Sequence, residues 1–269
     1  MFFSFLKKLF NYKKKYSEKP EDRFGKVIDE GLNYNKWHED IVNGDDDYNY
    51  GNECRESKYR EIYNDMKNDM GIKYNIKFKL YALFPYVSFI EKRGQEDVLS
   101  ISVNMTCDSI QERYIGSLAH ELWHVKTTME LIQYIGFDEY VKLQRNHNYE
   151  KSLAFKTLSE YHSWYKAISE YNEVECNITL RERLYDYRDT RIDKIDLCDT
   201  IAAHCAWNVA NKTTFQDDRL PDEYKSFIER VMKIIILNSI TWPISLESFD
   251  KIGKDIIQLF VIVDNKKEM

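Results

Sequence analysis

The feature that most constrains this 269-residue chain is the run His120-Glu121-Leu122-Trp123-His124, which lies inside a long stretch with helical periodicity. Ser109 and Glu112 match a capping box, so we predict that a helix begins near Asp108 and extends to about residue 134. Residues four apart lie one above the other on a helix, and the two histidines therefore share a face. The apolar residues fall at the spacing of one buried helix face, at Ile110, Tyr114, Ile115, Leu118, Leu122, Val125 and Met129.

The order of these residues indicates a metal site. Two imidazoles at this spacing can bind one Zn²⁺ at about 2.0–2.1 Å. Glu121, next to the first histidine, can then act as general base toward an attacking water. A catalytic zinc site needs a third protein ligand and leaves a fourth position open. The alternative is that His120, Glu121 and His124 are ordinary residues of an amphipathic helix.

The nearest acidic candidate for the third ligand is Glu130, six residues after His124. A metzincin would have histidine there, and Thr127 replaces the glycine that would turn the chain. If the helix continues, Glu130 is rotated by about 240° from His124 and points away. We therefore look for the third ligand further along the chain.

Glu160, 36 residues after His124, is the better candidate. It would face inward among apolar and small neighbours, where a carboxylate is costly unless a cation pairs with it. The alternatives are that Glu160 is a surface residue, or that one of three glutamates in a more polar stretch is the ligand. His162 lies about 200° around the helix from Glu160, so both cannot bind one ion. The stripe that includes Glu160 consists of Leu153, Thr157, Glu160, Trp164, Ala167 and Tyr171, and the rival glutamates are Glu170, Glu173 and Glu175.

Two runs upstream of the predicted helix have strand character. Residues 78–90 are rich in aromatic and β-branched side chains, and residues 98–103 alternate in part. The link at 91–97 contains a glycine and several charges, as a hairpin loop would. We predict a strand pair leading into the helix, with 98–103 as an edge strand that could hold an extended substrate by strand addition.

These motifs resemble those of the gluzincin group of zincin metallopeptidases, and more closely the small ImmA/IrrE-type metallopeptidase domains of bacteria and their mobile elements. The resemblance rests on residues 120–124 and on Glu160 with Ser163 and Ala167 after it, and it covers about residues 75–170. It implies an α+β fold with a zincin-like core, a small antiparallel or mixed sheet, and added N- and C-terminal helices. It further implies one Zn²⁺ held by His120, His124 and Glu160, with Glu121 as catalytic base.

A zincin often has an additional histidine or tyrosine that stabilises the oxyanion. Our first candidate is His204, because the residues around it, Ala202-Ala203-His204-Cys205-Ala206-Trp207, have the composition of a buried segment. The alternative is that His204 is a core histidine with its hydrogen bonds satisfied.

Composition narrows the class of protein and its surroundings. The net charge of −6 gives no support for nucleic-acid binding. Five cysteines, an odd number without a C-x-x-C pair, indicate reduced thiols in a cytoplasmic protein. Residues 1–19 carry six lysines against one glutamate, on a short apolar run that could contact an anionic membrane surface. A docked helix or a frayed tail is the alternative for this segment.

We therefore predict a basic amphipathic segment at 1–20, followed by a single zincin-like domain at 21–269. Its core would lie at about 75–170, and a helical extension at about 173–269 would include helices at 221–238 and 245–263. Ser245 is the predicted N-cap of the second of these helices. The predicted function is hydrolysis of a peptide bond, in a peptide or protein substrate, by an intracellular regulatory protease. The alternative is an inactive zincin-fold binding protein, in one version at a membrane surface. The sequence carries no signal of oligomeric state.

Overall fold

A computed structural model of the protein describes residues 47–264, except for 81, 83–84, 95–97, 107–110, 172–179, 216–219 and 240–241. The chain divides into two compact units, residues 1–119 and 120–269, with the boundary inside one helix. The predicted N-terminal segment at 1–20 and the predicted helix cap at 108–109 lie outside the described residues. The prediction of a single domain from residue 21 onward stays a prediction.

The described part of the first unit contains one complete helix and a small sheet. Helix α1 spans Asp47–Asp69, and the strands are β1 (Ile76–Lys79), β2 (Tyr86–Lys92) and β3 (Val98–Asn104). Strand β1 pairs with β3 in parallel, and β2 pairs with β3 in antiparallel orientation. The sheet is therefore mixed, with the order β1-β3-β2. The α+β class is confirmed at this level.

Two details of the predicted sheet are wrong. Residues 78–90 are not one strand, because β1 ends at Lys79, the described residues Leu80, Ala82 and Pro85 lie outside the strands, and β2 begins at Tyr86. Proline has no backbone N–H to donate to a strand ladder, which explains why β2 begins after it. Residues 98–103 belong to the central strand and not to an edge strand, and residues 101–104 are paired on both sides, whereas 98–100 pair with β2 alone. The predicted hairpin between β2 and β3 is confirmed, with Lys92 opposite Val98.

Aromatic side chains hold α1 on this unit. The ring of Tyr63 stacks on Phe78 of β1 with centroids 4.3 Å apart. Tyr59 lies at the same centroid distance from Tyr114, whose hydroxyl donates to the Tyr59 carbonyl. Burying such rings contributes on the order of 1.5–3 kcal/mol each.

The helix predicted around His120 and His124 is confirmed. Helix α2 (Gln111–Ile135) contains the His120–His124 run, and it continues straight past Glu130, which is exposed. Gly136 separates α2 from the next helix. Its φ angle of 87° is one that residues with a Cβ adopt only with strain. The helices that follow are α3 (Phe137–Gln144), α4 (Tyr149–Tyr171), α5 (Leu180–Arg188), α6 (Lys194–Asn211), α7 (Asp222–Asn238) and α8 (Leu246–Asp264).

Helix α4 is the centre of the second unit, where it packs against α3, α6 and α8. Phe155 of α4 makes edge-to-face contacts with Tyr140 of α3 and Phe249 of α8. Gly253 of α8 lies directly on the α4 backbone, since an added Cβ there would be 1.9 Å from the carbonyl oxygen of Glu150. This packing fixes the position of α4 and of the side chains on its other face.

The two predicted C-terminal helices correspond to α7 and α8. The backbone N–H of Ser248 donates to the Ser245 hydroxyl at 3.2 Å, which is the cap predicted from the sequence. Among the described residues, no helix combines the length and the apolar character that crossing a membrane requires.

Candidate metal centre

Three donor side chains meet between α2 and α4. His120 and His124 occupy successive turns of α2, and Glu160 extends from the middle of α4. The imidazole Nε2 atoms are 3.0 Å apart. Glu160 Oε2 lies 3.1 Å from His124 Nε2, and Oε1 lies 3.5 Å from His120 Nε2. Within the described residues this is the group that could hold a metal ion.

The spacing of these atoms fits a single small cation. Donors around a tetrahedral ion with bonds of about 2.0–2.1 Å are separated from one another by roughly 3.3 Å. The separation of 3.0 Å between the two Nε2 atoms and that of 3.1 Å between His124 Nε2 and Glu160 Oε2 are close to this value, and one donor atom from each residue lies within 4.8 Å of the others. The side chains of His124 and Glu160 keep 19% and 24% of their surface exposed, so solvent can reach the group. Two imidazoles and a carboxylate are also ligands that such an ion accepts.

The electrostatics of the donors favour a cation among them. Burial alone would raise the pKa of Glu160, but the neighbouring histidines and its hydrogen bonds hold that pKa well below its usual range. Burial lowers the pKa of His120 to about 3, so its ring stays neutral. For His124, burial acts to lower the pKa, yet the hydrogen bond and charge of Glu160 raise it above the ordinary value. Because the pKa of His124 is raised, a proton and a metal cation would compete for this imidazole.

His124 is oriented by a hydrogen-bond partner on its second nitrogen. Its Nδ1 lies 3.3 Å from the hydroxyl of Ser159, a buried residue of α4. Ligand histidines are commonly held in this way, with the non-ligating nitrogen donating to an oxygen. This leaves Nε2 of His124 directed at the other two donors.

His120 is held differently. Its Nδ1 is buried and has no hydrogen-bond partner among the described residues. Its ring instead stacks on the indole of Trp164, with centroids 4.0 Å apart and planes inclined by 28°. The indole Nε1–H of the same tryptophan donates to Glu160 Oε1 at 2.7 Å.

Glu121, the predicted general base, is buried next to the donors and is not one of them. Burial raises the pKa of its carboxyl to about 7, with smaller effects from His124 and Glu160. A carboxyl with such a pKa can both accept and release a proton near neutral pH. Its catalytic role stays a prediction.

The other sequence candidates lie outside the donor group. His204 lies in α6 with buried neighbours on both sides, as predicted, and its proposed contact with an oxyanion stays a prediction. His162 packs on Trp242 with centroids 4.9 Å apart, in agreement with its predicted angle from Glu160. Glu170 is half-buried. Burial raises the pKa of its carboxyl, and the positive charges of Lys166 and Lys126 act against that rise. Glu173 and Glu175 fall outside the described residues.

Sequence reasoning missed three side chains around the donors. The sequence predicts Trp164 on the buried stripe of α4, and its four-residue spacing from Glu160 indicates a shared face. It does not predict that Trp164 contacts both Glu160 and His120. Ser159 precedes Glu160 and carries no signal of its own. Asp199 of α6 has a buried Oδ1 without a partner among the described residues. Burial is the main cause that raises the pKa of its carboxyl, and the negative charge of Glu160 raises it further. That proximity depends on how α6 packs on α4, which periodicity does not reveal.

Comparison with known proteins adds no relative. The chain matches no protein-family model, no curated protein and no solved structure. Fold and site together define an α+β protein, rich in helices, with a group of two histidines and a glutamate that could hold a metal ion. Any more specific function has to be argued from the chemistry of that group.

Proposed function

We propose that this protein is a zinc-dependent peptidase with a zincin-like core, in which His120, His124 and Glu160 hold the ion. The observation that carries the proposal is the convergence of these three donors from two helices, with their atoms 3.0–3.5 Å apart. Structural zinc sites have four protein ligands, whereas catalytic sites have three and keep one position for water or substrate. The described residues supply three ligands, and the group is open to solvent.

The chemistry divides between the ion and the chain. A bound Zn²⁺ would act as a Lewis acid that makes a water more acidic and polarises the substrate carbonyl. Glu121, one residue from His120, accepts the proton of the attacking water on its carboxylate. It then donates that proton to the nitrogen of the departing amine, which returns Glu121 to its starting state.

The resemblance to ImmA/IrrE-type domains supports a narrower version of the proposal. In that version the protein is a cytoplasmic regulatory protease that cleaves one target, and its partner is a peptide or protein substrate. Reduced cysteines agree with this setting, since Cys198 and Cys205 are both free thiols. A small mixed sheet directly precedes the helix of His120 and His124 along the chain, which is the order expected of a zincin-like core.

The first test measures metal content. Purified full-length protein should contain about one equivalent of zinc by elemental analysis, and the His120→Ala and Glu160→Ala variants should lose it. Glu130→Gln is the matched control, because Glu130 is an exposed glutamate of the same helix and should not affect zinc. Wild-type protein without zinc would contradict the site.

The second test measures hydrolysis. A peptide mixture of defined composition is incubated with wild-type protein and with Glu121→Gln, and new termini are identified by mass spectrometry. We expect cleavage by the wild type and a loss of about 10²–10⁴-fold in Glu121→Gln with zinc retained. Bound zinc without cleavage of the mixture by either form would favour the inactive binding protein.

A further inference from the structure

We propose that Trp164 is a positioning residue that holds two of the three metal ligands, one on each helix. This inference rests on the proposed metal centre and extends it to a side chain that does not itself bind the ion. Trp164 lies one turn after Glu160 on α4, so both side chains leave the same face of the helix.

The first contact fixes the carboxylate. The Trp164 Nε1–H donates to Glu160 Oε1 at 2.7 Å. A hydrogen bond to an ionised acceptor is short and roughly twice as strong as a neutral one, and it opposes rotation of the carboxylate. With Oε1 held by the indole, Oε2 is the oxygen that faces His124 Nε2 at 3.1 Å.

The second contact fixes an imidazole. A ligand histidine is usually oriented by a hydrogen bond from its other ring nitrogen. His124 has Ser159 in that role, whereas the buried Nδ1 of His120 has no partner in the described part of the chain. The face of the His120 ring instead lies on the Trp164 indole at 4.0 Å. Stacking on Trp164 therefore orients the His120 ring, as the hydrogen bond with Ser159 orients the His124 ring.

The two contacts need different parts of the indole, so they can be separated by substitution. Trp164→Phe keeps an aromatic face for His120 but removes the donor to Glu160. Trp164→Leu removes both contacts and keeps an apolar side chain. Trp123 offers a matched control, because it is a buried tryptophan of α2 whose ring lies under the ammonium groups of Lys126 and Lys166.

The experiment measures metal binding and not only activity. Zinc affinity is determined by chelator competition on the full-length protein, and the protein loaded with Co²⁺ is examined by visible absorption, which reports ligand geometry. Substitutions in the outer shell of a metal site typically lower affinity by about 10–100-fold. We expect about tenfold weaker zinc binding in Trp164→Phe, up to about 100-fold in Trp164→Leu, and no change in Trp123→Phe. The Co²⁺ bands of both Trp164 variants should shift at saturating metal.

The outcomes separate this inference from the proposed function. If the wild type takes up no zinc, both are wrong. If the wild type binds zinc through His120 while both Trp164 variants keep its affinity and Co²⁺ spectrum, this inference alone is wrong. Circular dichroism of the metal-free variants gives the folded fraction. A loss of affinity that only follows a loss of folded protein, with an unchanged Co²⁺ spectrum, would mean that Trp164 acts on stability alone and would overturn the inference.

Discussion

The two faces of α4 differ in what they contribute to the protein. One face carries Ser159 and Glu160, whose oxygens lie close to the ring nitrogens of His124, and Trp164, which donates to Glu160 and stacks on His120. The other face packs against α6 and α8 through apolar contacts such as Phe155 on Phe249. The polar face determines where the donors lie, and the apolar face determines whether the helix is in place at all. Substitutions on the two faces should therefore have separable effects on metal affinity and on stability.

The largest expected effect is on the packing face. Phe249→Ala removes a ring that is fully buried between Phe155 and Trp242. We expect the free energy of unfolding to fall by about 3–5 kcal/mol, since buried Phe→Ala substitutions leave a cavity. Urea denaturation of the metal-free protein measures this loss. Val261→Ala in the same helix is the control, because Val261 is 57% exposed and its truncation should cost less than about 0.5 kcal/mol. An equal loss in both variants would contradict the assignment of the core.

A second test of the packing face uses the close approach of α8 to α4. Gly253→Ala would place a methyl group 1.9 Å from the Glu150 carbonyl oxygen, so one backbone must move. We expect a loss of about 1–3 kcal/mol, typical of overpacking. Gly94→Ala is the control, because its added methyl would meet nothing within 4 Å. Unchanged urea midpoints for both variants would show that the helices are further apart than described.

The polar face should respond in metal affinity instead. Ser159→Ala removes the oxygen 3.3 Å from His124 Nδ1. We expect zinc binding to weaken by about tenfold, or about 1.4 kcal/mol, with little change in unfolding of the metal-free protein. Ser152→Ala is the matched control, since Ser152 is a buried serine of α4 whose hydroxyl has no partner among the described residues. Chelator competition measures both, and equal affinity in the two variants would remove Ser159 from the site.

The smallest expected effect concerns the packing face, where we expect the two buried cysteines of α6 not to react with an alkylating reagent. Cys198 and Cys205 of α6 are buried, and burial raises the pKa of Cys205 to about 12 and that of Cys198 further above its usual range. At pH 8 both thiols stay protonated, and only the thiolate reacts. Peptide mapping after iodoacetamide treatment should find neither modified in the native protein and both modified in urea. Rapid modification of either under native conditions would mean that α6 separates from α4.

Local patterns predicted much of this structure because they depend on neighbours along the chain. The helical spacing around His120 and His124, the stripe that includes Glu160, and the Ser245 cap can each be read within one or two turns. The meeting of Glu160 with the histidines was predictable in outline, because a buried carboxylate needs a partner.

The remaining features depend on contacts between distant segments. The run at 78–90 has strand composition throughout, so only the pairing with β3 and the position of Pro85 determine where it divides. The central place of β3 is likewise a property of three segments together. Trp164 could be assigned to a buried stripe, but its contact with His120 depends on how α2 packs on α4. Such packing has no period in the sequence.

The order β1-β3-β2 has a consequence for how the nascent chain gains structure. Strands β1 and β2 leave the ribosome first, yet neither pairs with the other, and both use β3 as their partner. Their ladder N–H and C=O groups must remain hydrated until residues 98–104 have been translated. The sheet can therefore form only after residues 98–104 have left the ribosome, although β1 and β2 precede them along the chain.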